Sequence, residues 1–208
     1  MSLPANYRIP GQTIRRKERL GGQSEIMKYA IVILFLFMMD SSPKKPYVDF
    51  TLEGRGREWM MVNDPVMGGR SVSGGDFLEN GNLHWYGKIS LENNGGFASI
   101  RSPKGKYEFG KYSGLRIRMK GDGRKYGFTL RNVTYFNGVS YTHYWETEPD
   151  EWITVEVPFS DMVGKYFGEP DARIEDLDPD KIREFGVILY DKQAGPFDVE
   201  IDWIDLYK

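Results

Sequence analysis

From residue 48 onward the chain alternates apolar and polar positions with a period of two. Leu83, Trp85, Gly87 and Ile89 alternate with Asn82, His84, Tyr86 and Lys88, and Leu115, Ile117 and Met119 with Arg116, Arg118 and Lys120. Tyr126, Phe128 and Leu130 alternate with Lys125, Thr129 and Arg131; Ile153, Val155 and Val157 with Thr154 and Glu156; Val199, Ile201 and Trp203 with Glu200 and Asp202. Successive side chains of a strand point to opposite faces, so each segment reads as a strand with one buried face. Asn80-Gly81 and Asn137-Gly138 read as hairpin turns in which both central residues tolerate positive φ, and Gly121-Asp122-Gly123 as a third. Helical hints are confined to residues 159–163 and 178–183. The expected fold is all-β, with antiparallel strands in a two-sheet sandwich or jelly roll over residues 48–208.

The pattern ahead of residue 48 is different. Residues 1–28 read as a polar, disordered leader, and residues 29–47 as an apolar segment and linker. The run from Tyr29 to Met39 has the length of a signal-peptide core and is too short to span a bilayer comfortably. A start at Met27 would give it a short basic flank; the alternative is a strand or helix buried on the domain. Residues 28–39 therefore point to export or membrane association, and without that role the protein is expected in the cytoplasm.

Composition narrows the function classes. Cysteine is absent, which excludes disulfides, thiolate nucleophiles and Cys-ligated zinc. Residues 1–28 hold six basic residues against Glu18 and Glu25, so the remainder carries 22 basic and 28 acidic residues. That acidic excess argues against nucleic acid as a partner of the folded body.

One stretch organises the chain: Val62-Asn63-Asp64-Pro65-Val66-Met67-Gly68-Gly69-Arg70-Ser71. Pro65 lacks an N–H and breaks any strand ladder, while Asn63 and Asp64 bond readily to nearby backbone. The stretch resembles the signature of the complex I intermediate-associated protein 30 family. Four later blocks agree in order: Gly95-Gly96-Phe97-Ala98-Ser99-Ile100-Arg101; Gly121-Asp122-Gly123-Arg124-Lys125-Tyr126; Trp152 through Val157-Pro158-Phe159-Ser160; and Asp191-Lys192-Gln193-Ala194-Gly195-Pro196-Phe197, leading into Glu200-Ile201-Asp202-Trp203-Ile204. The resemblance covers residues 49–207. It implies a galactose-binding-like jelly roll, similar to some carbohydrate-binding modules. Its mitochondrial members are assembly factors that hold partly built respiratory complex I. No cofactor is expected and no metal site is assigned; the analogy with jelly-roll modules leaves room only for a structural calcium between early and late strands, near Asp49 and Asp202.

Candidate chemistry is sparse. His84 and His143 are the only histidines, and no Ser-His-Asp arrangement or metal-ligand spacing is legible. Gly121-x-Gly123 opens no helix and is not a phosphate loop. No catalytic residues are assigned, and the chain is read as a non-enzyme. Asp64 with Asn63 reads either as a carboxylate site or, more simply, as a turn cap. The acidic, Pro-punctuated residues 161–184 read as a solvated loop. The aromatic and basic set Arg116, Arg118, Tyr126, Arg131, Tyr135, Phe136, Tyr141, His143, Tyr144 and Trp145 offers either an outer binding face or core.

Two functional readings follow. In the first, the domain is a non-catalytic scaffold for a protein partner or assembly intermediate, with a partner-binding loop formed by Asn63, Asp64, Met67, Gly68, Gly69, Arg70 and Ser71. In the second it is a carbohydrate-binding module of the cell envelope, with a ligand face of Arg116, Arg118, Arg131, Tyr141, His143 and Trp145, because such side chains stack on rings and anchor interfaces.

Overall fold

The computed structural model describes residues 45–51, 54–133, 135 and 138–208. The leader 1–28, the apolar run, Phe136 and Asn137 lie outside the described residues. Within them, no helix is long and apolar enough to cross a membrane.

The described strands, in chain order, are β1 (Val48–Asp49), β2 (Met60–Asn63), β3 (Val72–Phe77), β4 (Leu83–Ile89), β5 (Ala98–Arg101), β6 (Gly114–Lys120), β7 (Lys125–Arg131), β8 (Val139–Glu146), β9 (Trp152–Pro158), β10 (Val163–Tyr166), β11 (Glu169–Pro170), β12 (Glu184–Leu189) and β13 (Gly195–Tyr207). They form two antiparallel sheets. The first runs β3-β4-β13-β6-β9, with β1 also on β13; the second runs β11-β10-β8-β7-β12-β5-β2. The all-β two-sheet sandwich expected from the alternation is therefore the observed fold.

The apolar phase of the central strands meets the other sheet. Trp85, Ile117 and Ile201 from the first sheet and Ile100, Phe128 and Val187 from the second are fully buried. Burying a side chain of this kind stabilises the fold by about 1.5–3 kcal/mol. Phe185 of β12 is the aromatic junction, edge-on to Trp59 at 5.4 Å and to Tyr107 at 4.8 Å.

Three local expectations are refined. Between β3 and β4, Leu78 N–H donates to Asn82 O and Gly81 N–H to Leu78 O. Gly81 has φ +88° but Asn80 is not left-handed, so the turn is longer than a two-residue hairpin. In β13 the register shifts between Ile201 and Trp203. This bulge turns Trp203 away from the phase of Val199 and Ile201 and brings Ile204 and Leu206 inward instead. The helical hints are single 3-10 turns, Phe159–Asp161 and Pro179–Lys181, and the acidic segment contributes β10 and β11 to the edge of the second sheet.

Candidate functional site

The signature loop begins where β2 ends. Asp64–Met67 form one 3-10 turn with Pro65 near its start, where a missing N–H costs nothing. Gly68 closes it at φ +90°, in the left-handed region. The turn buries the Asp64 carboxylate, which is 1% exposed. Its Oδ1 accepts from Ser71 N–H at 2.7 Å; its Oδ2 accepts from Ser71 Oγ–H at 2.6 Å, Gly96 N–H at 2.6 Å and Phe97 N–H at 3.3 Å. A Cβ on Gly95 would lie 2.6 Å from that same Oδ2, so glycine is needed there for close approach. Burial pushes the Asp64 carboxyl up, but the hydrogen bonds from Ser71, Gly96 and Phe97 outweigh it and hold the group below the ordinary carboxylate range.

The loop is thus a brace. Ser90 N–H donates to Ser71 Oγ at 3.0 Å, Asn93 Nδ2 to Gly68 O at 3.1 Å, and Ser73 Oγ to Asn63 Oδ1 at 2.7 Å. Arg70 reaches outward, pairing with the exposed Glu92 at 2.7 Å. Met67 lies in the turn, and Gly69 packs against Asp64. The signature therefore ties residues 63–71 to residues 90–97, and its Asp64 and Ser71 face the interior.

The six residues expected to share a ligand face do not. Arg116 and Arg118 project from β6 in the first sheet, paired with Glu156 at 3.1 Å and Asp202 at 3.0 Å. Their guanidiniums lie 5.0 Å from the Tyr207 and Trp152 rings respectively. Arg131 belongs to the second sheet. Tyr141 and Trp145 of β8 are core residues, 6% and 9% exposed, and His143 shares their phase. The alternation of β8 was legible but not which phase faced out: Thr142 and Tyr144 do. The missed signal is Gly127, directly opposite Tyr144 in β7, where a Cβ would lie 2.8 Å from the Tyr144 ring. The two histidines sit on different sheets, with His84 Nε2 2.9 Å from Asp198 Oδ1.

What the strands do assemble is the outer face of the second sheet. Ser99 and Arg101 of β5, Glu184 and Ile188 of β12, Thr129 and Arg131 of β7, and Ser140 and Tyr144 of β8 share the phase opposite the core. The centre of this face is polar yet buried: Ser99, Thr129, Ser140, Thr142 and Glu184 are each at most 8% exposed. Thr129 and Thr142 hydroxyls meet at 3.0 Å. Glu184 Oε1 lies 3.4 Å from Arg101 Nη1 and 3.2 Å from Arg131 Nε. Beside this triad is a cavity of about 150 Å³, bounded by both arginines, Gly138, Ser140, Ile188 and Tyr190 and by Asn94, Gly95, Phe97, Phe167 and Gly168. At its flank Lys165 Nζ lies 4.6 Å from the Tyr144 ring centroid. Burial, with Tyr190 and Glu169 nearby, pushes the Tyr144 hydroxyl up to about 12.

Two of the segments at the cavity, residues 96–97 and the turn after Tyr190, are anchored through the signature blocks. Asp64 holds Gly96 and Phe97. Beyond Tyr190, Arg124 clamps Asp191 with two bonds, Nε to Oδ2 at 2.9 Å and Nη2 to Oδ1 at 2.7 Å, and donates to the carbonyls of Gln193, Gly195 and Pro196. Asp49 and Asp202 are engaged elsewhere, with Thr51 and Lys45 and with Arg118 respectively. Among the described residues no group of three or more His, Asp or Glu gathers in metal-binding geometry.

A sequence model described as complex I intermediate-associated protein 30 matches residues 48–201. The mitochondrial protein of that name from Mus musculus is 29% identical over 177 residues, 72% of this chain and 52% of the mouse protein. Its Drosophila melanogaster counterpart is 26% identical over 129 residues, 53% of this chain and 42% of the fly protein. The chain thus spans about half the length, or less, of these relatives. Among solved structures, the family 11 carbohydrate-binding module of a Clostridium thermocellum cellulosomal cellulase superposes with a TM-score of 0.59 at 16% identity, covering 78% of this chain and 93% of the module. The family 11 module from the same organism, in complex with a β-1,3-1,4-mixed-linked tetrasaccharide, gives 0.53 at 16% identity over 72% and 88%. This likeness shows the two-sheet β-sandwich fold.

Proposed function

The chain belongs to the complex I intermediate-associated protein 30 family, and from that premise we propose that its sandwich is a non-catalytic scaffold holding a protein partner during assembly of a membrane complex. The working surface in this reading is the outer face of the second sheet, around Tyr144, Lys165 and Tyr190. The observation that carries this choice is the direction of the signature loop: its carboxylate is consumed in fixing residues 96–97, at the edge of the cavity on that face. The loop is a support and the face beside it is the contact surface. A half-buried aromatic ring with a lysine across it is the kind of group that anchors interfaces.

The test is affinity purification of the full chain from native membranes, with quantitative mass spectrometry of respiratory-complex subunits. Lys165→Glu and Tyr144→Ala are expected to lose those subunits, while Arg70→Ala, at the outer tip of the signature loop, retains them. Equal recovery in all variants would overturn the choice of surface. Carbohydrate binding is the second reading, supported by the Tyr144 and Tyr190 rings on a sheet face. Retardation on a mixed-linkage glucan gel, abolished by Tyr144→Ala and without recovery of a protein partner, would favour it.

A further inference from the structure

We propose that the cavity beside Arg101 and Arg131 is a receptor for one carboxylate, carried on an acidic side chain of the protein partner. The proposal rests on the scaffold reading and adds to it the chemistry of the contact. Two guanidiniums bring ten N–H donors to the site. Both arginines meet Glu184 at the same oxygen, Oε1. Arg101 Nε also donates to Ser99 Oγ at 3.0 Å and Arg131 Nη1 to Val139 O at 3.2 Å. The buried Arg131 Nε lies within ion-pair distance of Glu184 but is not aligned to donate a hydrogen bond. The cluster therefore holds two positive charges against one negative charge, with donors to spare.

The arginines are taken out of water with only half their charge compensated. Their side chains are each 14% exposed and that of Glu184 is 5% exposed. Burial, together with the neighbouring Arg101, pushes the Arg131 guanidinium down to about 10, with Glu184 opposing the shift. A second carboxylate would restore neutrality and supply acceptors, and arginine forks match carboxylate geometry. Among the described residues bordering the cavity none is acidic, and the second carboxylate is assigned to the partner. Shape points to a side chain. The volume of about 150 Å³ suits a carboxylate on a short methylene stem rather than a sugar chain, and Phe97, Phe167 and Ile188 provide apolar walls for the stem. Ser140 also lines the cavity.

The test uses the full chain and two isosteric probes, N-acetyl-glutamate N-methylamide and N-acetyl-glutamine N-methylamide, titrated by NMR. The glutamate probe is expected to shift the Arg101 and Arg131 Nε–H signals with saturation, and the glutamine probe to leave them in place. Arg131→Gln should weaken the glutamate probe about tenfold, the order expected for one charge-assisted contact. Glu184→Gln should tighten it, since it removes the competing carboxylate; an unfolded variant cannot produce that gain. Equal response to both probes, or unchanged affinity in Glu184→Gln, would overturn the proposal. Tighter binding of methyl glucuronide than of the glutamate probe would also overturn it, in favour of an acidic sugar. Failure of the probes while Lys165→Glu still abolishes subunit recovery removes only the carboxylate receptor and leaves the scaffold standing. Saturable glutamate binding without any recovered subunits supports the receptor chemistry and removes the scaffold reading.

Discussion

Asp64 offers four acceptor contacts to groups that have no water to fall back on. Asp64→Asn puts an NH₂ where the Gly96 and Phe97 N–H groups or the Ser71 donors now point. It is expected to cost about 2–4 kcal/mol, since losing a charge-assisted bond and stranding its buried donor each cost roughly 1–3 kcal/mol. Urea denaturation measures this, with Arg70→Ala as a control that leaves the midpoint unchanged because its pair with Glu92 is solvent-exposed. The pH dependence has a definite sign. A carboxyl held below its unfolded value stabilises the fold fully above about pH 4 and loses that contribution as pH falls through its lowered pKa. The stability gap between the wild type and Asp64→Asn should therefore close on acidification below about pH 4. The turn at Asn63-Asp64-Pro65 was legible in the sequence, because proline and glycine act locally. The partner of the carboxylate was not, because Gly96 is 32 residues away and nothing local specifies it.

Strands were legible as elements because their period is a local property, but facing depends on what covers them. In β8 the residues Tyr141, Thr142, His143, Tyr144 and Trp145 are polar-aromatic in both phases, so hydropathy does not choose between faces. The opposing strand chooses, with Gly127 making room for the Tyr144 ring. Trp145→Ala should therefore lower stability by about 3–5 kcal/mol, as for a large ring removed from a core, whereas Tyr144→Ala, which removes a half-buried ring from the outer face, should lower the melting temperature less and affect binding. Thermal melts of the two variants separate these outcomes. A single bulge likewise defeated the simple alternation in β13, where the sequence shows Trp203 in phase with Ile201 and the structure does not. The clamp at the start of β7 is a test of geometry rather than charge. Arg124→Lys keeps the cation but loses the fork onto Asp191 and the carbonyls beyond it, and should cost about 2–4 kcal/mol by urea denaturation.

At the scale of the molecule, the two-sheet class followed from alternation and turns, while strand order did not. Pairings such as Val48 with Ile204, Ile100 with Val187 and Tyr126 with Leu189 join distant residues, and no periodicity encodes them. Topologies of this kind fold slowly, so refolding from urea by stopped flow is expected on the millisecond-to-second scale rather than in microseconds. The position of β13 carries this furthest. It is the last described strand in chain order, yet it lies between β4 and β6 and also pairs with β1. During synthesis on the ribosome, β4 and β6 emerge and wait with unpaired edges until residues 195–207 have left the exit tunnel. A protein proposed to hold unfinished assemblies is itself, until β13 emerges, an unfinished assembly with open edges that invite aggregation.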